Sequence, residues 1–187
     1  MGEDLKAQLE RLYPEPASAP RSLGAKHPPY SNLNIEESYK RFCQEMAQRD
    51  YADERGTVIS IWEENFPKLL NLKLASNNKH AKASRVLDAL RKGEFDASVY
   101  KYERDRITTL FWIPQVICDC DAIHLNAHLL IQGDEVYVKR YDKEGKQIKL
   151  VFVDSTYAGQ RVVTTSFLVT PERLCKFAKM PPKWTKK

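Results

Sequence analysis

A chain of 187 residues, 42% hydrophobic and 29% charged, has the balance of an ordinary globular protein and is long enough to bury a core without covalent staples. Its 30 Lys and Arg against 25 Asp and Glu leave a formal charge of +5, which suits a bland basic surface as well as an acidic partner. The sequence has no apolar run of membrane-spanning length, no hydrophobic signal region at its start and no disulfide framework among Cys43, Cys118, Cys120 and Cys175, so it reads as a cytoplasmic protein with reduced thiols.

Leu5, Leu9 and Leu12 allow a short amphipathic helix over residues 1–13. The stretch from Pro14 to Pro29 follows, with five prolines among Ala, Ser and Gly, a composition that cannot build a core. Residues 1–30 therefore read as a flexible proline-rich arm. Order begins at Asn34, which can cap a helix over Glu36 to Arg49. Glu37 stands three residues on, as a capping box requires. Ile35, Tyr39, Phe42, Cys43 and Met46 fall at helical spacing and mark its buried stripe.

Residues 56–62 fit a short strand or a helix start equally well. Lys79 to Lys92 predicts a helix with Val86, Leu87 and Leu90 inward and Gly93 as its stop. Its cations Lys79, His80, Lys82, Arg85, Arg91 and Lys92 read as a solvated face. Residues 31–97 together form a helical accessory region. Another helix is predicted from Ser98 to Leu110, and Pro114 opens a short one.

Beyond it the chain changes character. Ala127–Ile131, Glu135–Tyr141, Ile148–Val153 and Arg161–Leu168 are rich in Val, Ile, Phe, Tyr and Thr, and short connectors make them antiparallel neighbours. Pro171 then opens a final helix. The predicted fold class is α+β, with N-terminal helices packed on a four-stranded antiparallel sheet.

Period-two alternation puts Tyr137, Lys139 and Tyr141 on one face of their strand and Val136, Val138 and Arg140 on the other. Lys139 between two rings suits single-stranded RNA; a solvated lysine beside half-buried tyrosines gives the same pattern. Lys149 and Arg161 stand on the neighbouring strands as further RNA-binding candidates. His124 and His128 are four apart, a spacing that on a helix would serve an acid–base pair or a metal. A turn-to-strand context splits them, and hydrogen-bonded loop histidines are the plainer reading. Cys118, Cys120, His124 and His128 make a poor zinc signature, so no metal and no cofactor are called for. From Arg173 to Lys187 there are six basic residues and no acidic one, and 181–187 reads as a basic tail. No glycine-rich phosphate loop occurs among the seven glycines, which argues against nucleotide hydrolysis.

The stretch Tyr102-Glu-Arg-Asp-Arg-Ile-Thr-Thr-Leu-Phe-Trp-Ile-Pro-Gln-Val-Ile117, the step Asp121-Ala-Ile123, the strand Val136-Tyr-Val-Lys-Arg-Tyr141 and the run Val162-Val-Thr-Thr-Ser-Phe167 together resemble the phage-associated barnase–EndoU–colicin E5/D–RelE-like (BECR) nucleases. The resemblance spans roughly 98–177 and makes 98–180 a BECR-like nuclease domain. It implies a metal-independent endoribonuclease, a toxin or mobile-element effector, in which the ribose 2′-hydroxyl attacks the adjacent phosphate. Such a protein works in the cytoplasm of its own cell or of one into which it is delivered. RNA, with tRNA among the candidates, is the implied partner; an immunity or antitoxin protein is a second, and no membrane is involved.

On this resemblance Arg106 and Arg104 face the cleft as phosphate binders, with Lys101 beside them, although Glu103 and Asp105 offer ordinary surface pairs. Thr164, Thr165 and Ser166 supply the hydroxyl expected on the last strand, with Thr165 and Ser166 the leading pair. The catalytic candidates are thus Lys139, Arg106, His124, His128, Thr165 and Ser166; the RNA-binding candidates are Lys101, Arg104, Tyr137, Arg140, Tyr141, Lys149 and Arg161. Two other functions fit the same residues. One is a non-catalytic RNA- or DNA-binding module, and the other a phage structural or packaging accessory tethered by the proline-rich arm.

Overall fold

The computed structural model describes residues 33–141 and 148–187, together with Ala7 and Arg11. The proline-rich arm, nearly all of the helix expected over 1–13 and the connector Asp142–Lys146 lie outside the described residues.

The chain begins as read. Asn34 caps helix α1 (Ile35–Glu45): its side chain accepts from the Glu37 backbone N–H at 2.8 Å, while the Glu37 carboxylate accepts from the Asn34 N–H at 3.2 Å. Ile35, Tyr39, Phe42 and Met46 are buried; Cys43 is exposed. The helix stops four residues short of Arg49, because Gln48 turns the chain with φ of 57° and Arg49–Ala52 becomes strand β1. β1 pairs antiparallel with β2 (Val58–Ile61), which resolves the ambiguous segment as a strand. Helix α2 (Phe66–Leu69) and strand β3 (Lys73–Leu74) follow, then α3 (Ala83–Lys92), which ends at Gly93.

The helix expected over 98–110 does not form. Tyr100–Lys101 is instead a strand, β4, paired with β3, and only Arg104–Thr108 is helical (α4). A 3₁₀ turn at Leu110–Trp112 leads into α5 (Ile113–Cys118), with Pro114 in its first turn. Strand β5 is Ala122–Leu125, so the strand expected at 127–131 is a loop. Strands β6 (Glu135–Arg140), β7 (Ile148–Tyr157) and β8 (Gln160–Val169) stand where strands were predicted. β7 runs on to a tight turn at Ala158 and Gly159, both at positive φ, the geometry that joins twisted strands with two residues. Pro171–Lys176 is 3₁₀ rather than α, and Trp184–Thr185 is β9.

The architecture corrects the sequence reading. There is no four-stranded sheet under N-terminal helices; the fold is a mixed α/β built on one curled, half-barrel sheet of seven strands in the order β1-β2-β8-β7-β6-β5-β9. Every pairing in it is antiparallel except β2 with β8, which meet in parallel at Ser60 and Val162. The helices are few and short, the longest described one having 11 residues. The added strands come from segments whose charges conceal them: Arg49-Asp50-Tyr51-Ala52 is exposed along most of its length, as edge strands often are.

One face of the sheet, through Ile123, Tyr137, Val151 and Val163, shares a hydrophobic cluster with α1, α2, α3 and α5. The opposite face, through Val136, Val138, Leu150 and Phe152, packs against Leu174, Phe177 and Ala178 of the C-terminal segment. The curl brings the β1–β2 loop over the first face. Arg55 reaches Glu135 and Tyr137 on β6, three strands away in the sheet order, and Glu54 pairs with Lys186 beside β9 at 3.2 Å. Among the described residues no helix is long and apolar enough to cross a membrane.

Candidate functional site

Alternation sorted the faces of β6 correctly, but not their environment. Tyr137, Lys139 and Tyr141 share the helix-covered face and are all buried. The Lys139 ammonium donates to the Asp119 carbonyl at 2.6 Å and its carboxylate at 3.0 Å, with Asp121 at 3.6 Å. Tyr141 donates to Gln115 at 2.7 Å and lies against Trp112. Tyr137 donates to Asp53 at 2.8 Å. Burial, and for Tyr137 also the Asp53 acceptor, holds both phenols protonated far above their ordinary range. Lys149 lies directly across from Lys139 in the ladder and donates to the Thr109 hydroxyl at 2.8 Å. These residues form an enclosed polar layer between the sheet and the α4–α5 segment.

Arg161 belongs to another cluster. With Arg55 and Lys183 it surrounds the Glu135 carboxylate, at 2.8, 3.2 and 2.6 Å. Burial alone would raise the Glu135 pKa, but the hydrogen bonds from Arg55 and Lys183 and the nearby guanidinium charges outweigh it and bring it below the ordinary range. Asp53 behaves alike: burial is outweighed by hydrogen bonds from Tyr137, Thr57 and Arg55. Arg140 is half-buried, and its backbone N–H donates to Asp121 at 2.7 Å.

The histidines do not meet. His124, on β5, is fully buried, its Nδ1 2.9 Å from the Lys179 carbonyl. Burial pushes its pKa down, which keeps the ring neutral at pH 7. His128, in the loop after β5, stacks on Phe177 at 5.2 Å. Among the described residues no three His, Cys, Asp or Glu side chains converge as a metal site would require.

One group of candidates does come together. β2 pairs with β8 only at Val162, so among the described residues no strand pairs with the C-terminal half of that edge, and α4 lies along it. From α4, Arg106 donates to the Thr165 hydroxyl at 3.0 Å and the Ser166 carbonyl at 3.4 Å through one guanidinium nitrogen. Its Nε donates to Glu103 at 2.8 Å, and the guanidinium lies over the Phe167 ring at 5.0 Å. The remaining nitrogen, Nη2, has no acceptor among the described residues. The Ser166 hydroxyl is turned away, donating to the Leu150 carbonyl at 2.8 Å, and Thr164 likewise donates to the Gln132 carbonyl at 2.7 Å. Lys101 and Arg104 are exposed beside the group.

Sequence reasoning treated Glu103 as a neutralising neighbour. The structure makes it the hinge of the site. It accepts from Asn71 at 2.6 Å and from Arg106, its backbone N–H bonds the Leu70 carbonyl, and its side chain is half-exposed at 52%. The three-residue spacing of Glu103 and Arg106 was the available signal, since such pairs meet across one helical turn. Chemically, the site offers an oriented guanidinium with a spare donor, a hydroxyl, an aromatic face and an accessible carboxylate.

Comparison with protein-family models, with curated proteins and with solved structures finds no match.

Proposed function

We propose that this chain is an endoribonuclease whose site is the Glu103–Arg106–Thr165 group where α4 lies along the edge of β8. The observation that carries the reading is Arg106 itself. It is nearly enclosed, with a side chain 11% exposed, held from two sides, and its Nη2 has no acceptor among the described residues. A guanidinium held in this way is suited to a phosphate oxygen. Phe167 beneath it and exposed Tyr102 and Lys101 nearby offer the rings and cations that single-stranded RNA uses.

In this reading the Glu103 carboxylate takes the proton of a ribose 2′-hydroxyl. The 2′-oxygen bonds to the adjacent phosphorus, and Arg106 stabilises the charge that develops on the phosphorane oxygens. The bond from phosphorus to the 5′-oxygen breaks and that oxygen takes up a proton from water, leaving a 2′,3′-cyclic phosphate and a 5′-hydroxyl. No step needs a metal. The resemblance of residues 98–177 to BECR nucleases supports the same chemistry, as does the chain's positive charge. An immunity or antitoxin partner would present acidic groups to this edge.

The test is digestion of RNA in excess EDTA by the wild type and by Glu103→Gln, with melting temperature as the control for folding. Fragments ending in cyclic phosphate, reduced about 10²- to 10⁴-fold in the variant, support the reading; equal cleavage by both proteins removes Glu103 as the base. A second reading, an RNA-binding module that does not cut, is favoured by one observation: Lys139 and His124, which would serve as proton donors or acceptors, are buried and bonded within the protein. Binding by the wild type without fragments would establish it.

A further inference from the structure

The pair β3–β4 is joined by a third extended segment. Lys73 pairs with Lys101 on one side and bridges antiparallel to His80 on the other. Backbone bonds from Leu74 to the Lys79 carbonyl at 2.8 Å and from Ala81 to the Leu72 carbonyl at 3.0 Å hold this hairpin closed. Residues directly opposite one another in antiparallel strands project from the same face. His80, Lys73 and Lys101 therefore form one row across a three-stranded ribbon. The neighbours in sequence face the other way: Leu72 is buried, and Ala81 and Tyr100 pack against the core. The row is the solvent side, with His80 and Lys101 exposed and Lys73 half-exposed. None of the three has an ion-pair partner among the described residues.

Three cationic or donor groups side by side without counter-charges repel one another, and an anionic ligand relieves that repulsion. The ribbon is also joined by a short stretch of chain to the site already described. Lys101 precedes Arg106 by five residues, which limits their separation to under roughly 18 Å of chain. Exposed Tyr102 lies between, and the Glu103 backbone ties the start of α4 to Leu70 beside the ribbon. We propose that the His80–Lys73–Lys101 row binds the phosphate backbone of single-stranded RNA on its way to Arg106, so that the protein holds several consecutive nucleotides while acting on one. The inference rests on RNA being the ligand of the Arg106 site, and it adds two residues, Lys73 and His80, that carry no motif in the sequence.

The experiment compares the wild type with the double variant Lys73→Gln, Lys101→Gln and with His80→Gln. Affinity for a single-stranded 2′-O-methyl oligoribonucleotide, which cannot undergo 2′-attack, is measured across a salt series; cleavage of a dinucleotide, too short to reach the ribbon, is measured separately. The double variant is expected to bind about tenfold more weakly, with a slope of log affinity against log salt shallower by about 1.4, the loss of two phosphate contacts on a single strand. His80→Gln weakens binding severalfold and leaves dinucleotide cleavage unchanged, and melting temperature stays unchanged in all. An unchanged slope and affinity in the double variant, or a wild type that does not bind the oligonucleotide, overturns the ribbon. Ribbon-dependent binding by a protein that cuts nothing upholds it and overturns the nuclease reading instead.

Discussion

Lys139 sits between Tyr137 and Tyr141 on the helix-covered face of β6. Alternation put Lys139 beside Tyr137 and Tyr141, yet all three are buried, because the covering segment comes from Thr109 to Asp119, whose placement no local pattern encodes. His124 shows what such burial does to a titratable group. Its folded pKa lies below the ordinary 6.5, because burial disfavours the charged ring. Between the two values the unfolded chain binds the proton and the folded one does not, so this contribution to stability is full above pH 6.5 and is lost as pH falls toward the folded value. Denaturation midpoints measured from pH 8 to pH 5 should decline below pH 6.5, and His124→Gln should flatten that part of the profile; an unchanged profile would show that another group is responsible. Ser38 offers a test of opposite sign. Its hydroxyl is buried in α1 and has no partner among the described residues. Ser38→Ala removes a desolvated polar group and adds helix propensity, worth about 1 kcal/mol. The expected outcome is a melting temperature higher by about 3 °C, and a lower one would mean that the hydroxyl is bonded.

Among the elements, those with strong periodic or capping signals were legible, and those created by pairing were not. The Asn34 capping box, the helix ending at Gly93 and strands β6, β7 and β8 follow from their own residues. β1, β3 and β4 exist because of partners elsewhere, and Tyr100–Lys101 forms a strand only because Lys73–Leu74 lies beside it. The half of the β8 edge that no described strand pairs with is the same kind of fact, since it depends on β2 stopping after one bridge. The loop before β6 carries a sharper constraint. Gly133 has φ of +136°, and a Cβ there would stand 3.1 Å from the Val153 carbonyl oxygen. Gly133→Ala should cost about 1–3 kcal/mol, seen as a lower urea midpoint; an unchanged midpoint would show that the loop relaxes freely.

The whole molecule is a sheet curled far enough for one edge hairpin to be tied across its face. Those ties run from Arg55 to Glu135, from the Tyr137 hydroxyl to Asp53, and from Lys186 to Glu54, while Asp53 also holds Arg55 within the hairpin. The Asp53 and Glu135 side chains are 0% and 1% exposed, so removing their shared cation leaves buried charge undercompensated. Arg55→Met should destabilise the fold by about 3–5 kcal/mol, measured by chemical denaturation, and a loss below about 1 kcal/mol would contradict the closure described here. Because both carboxylates have folded pKa values below their ordinary ones, their contribution is present above about pH 4 and is lost as pH falls through the folded values. At this scale the sequence was least informative. Seven-strand order, curl and closure depend on contacts between residues as distant as Arg55 and Glu135, and charge count alone does not reveal that so many cations are spent inside the fold. The candidate site was half visible: Arg106 and Thr165 were named, while Glu103 became a candidate only through the geometry that joins it to both Asn71 and Arg106.

The most direct measurement is the incubation of purified protein with single-stranded RNA in excess EDTA, beside Glu103→Gln and Arg106→Lys variants shown by melting to be folded. The expected result is fragments ending in 2′,3′-cyclic phosphate from the wild type and at least about a 10²-fold loss in each variant. RNA left intact by the wild type, or cut equally by all three proteins, would contradict it.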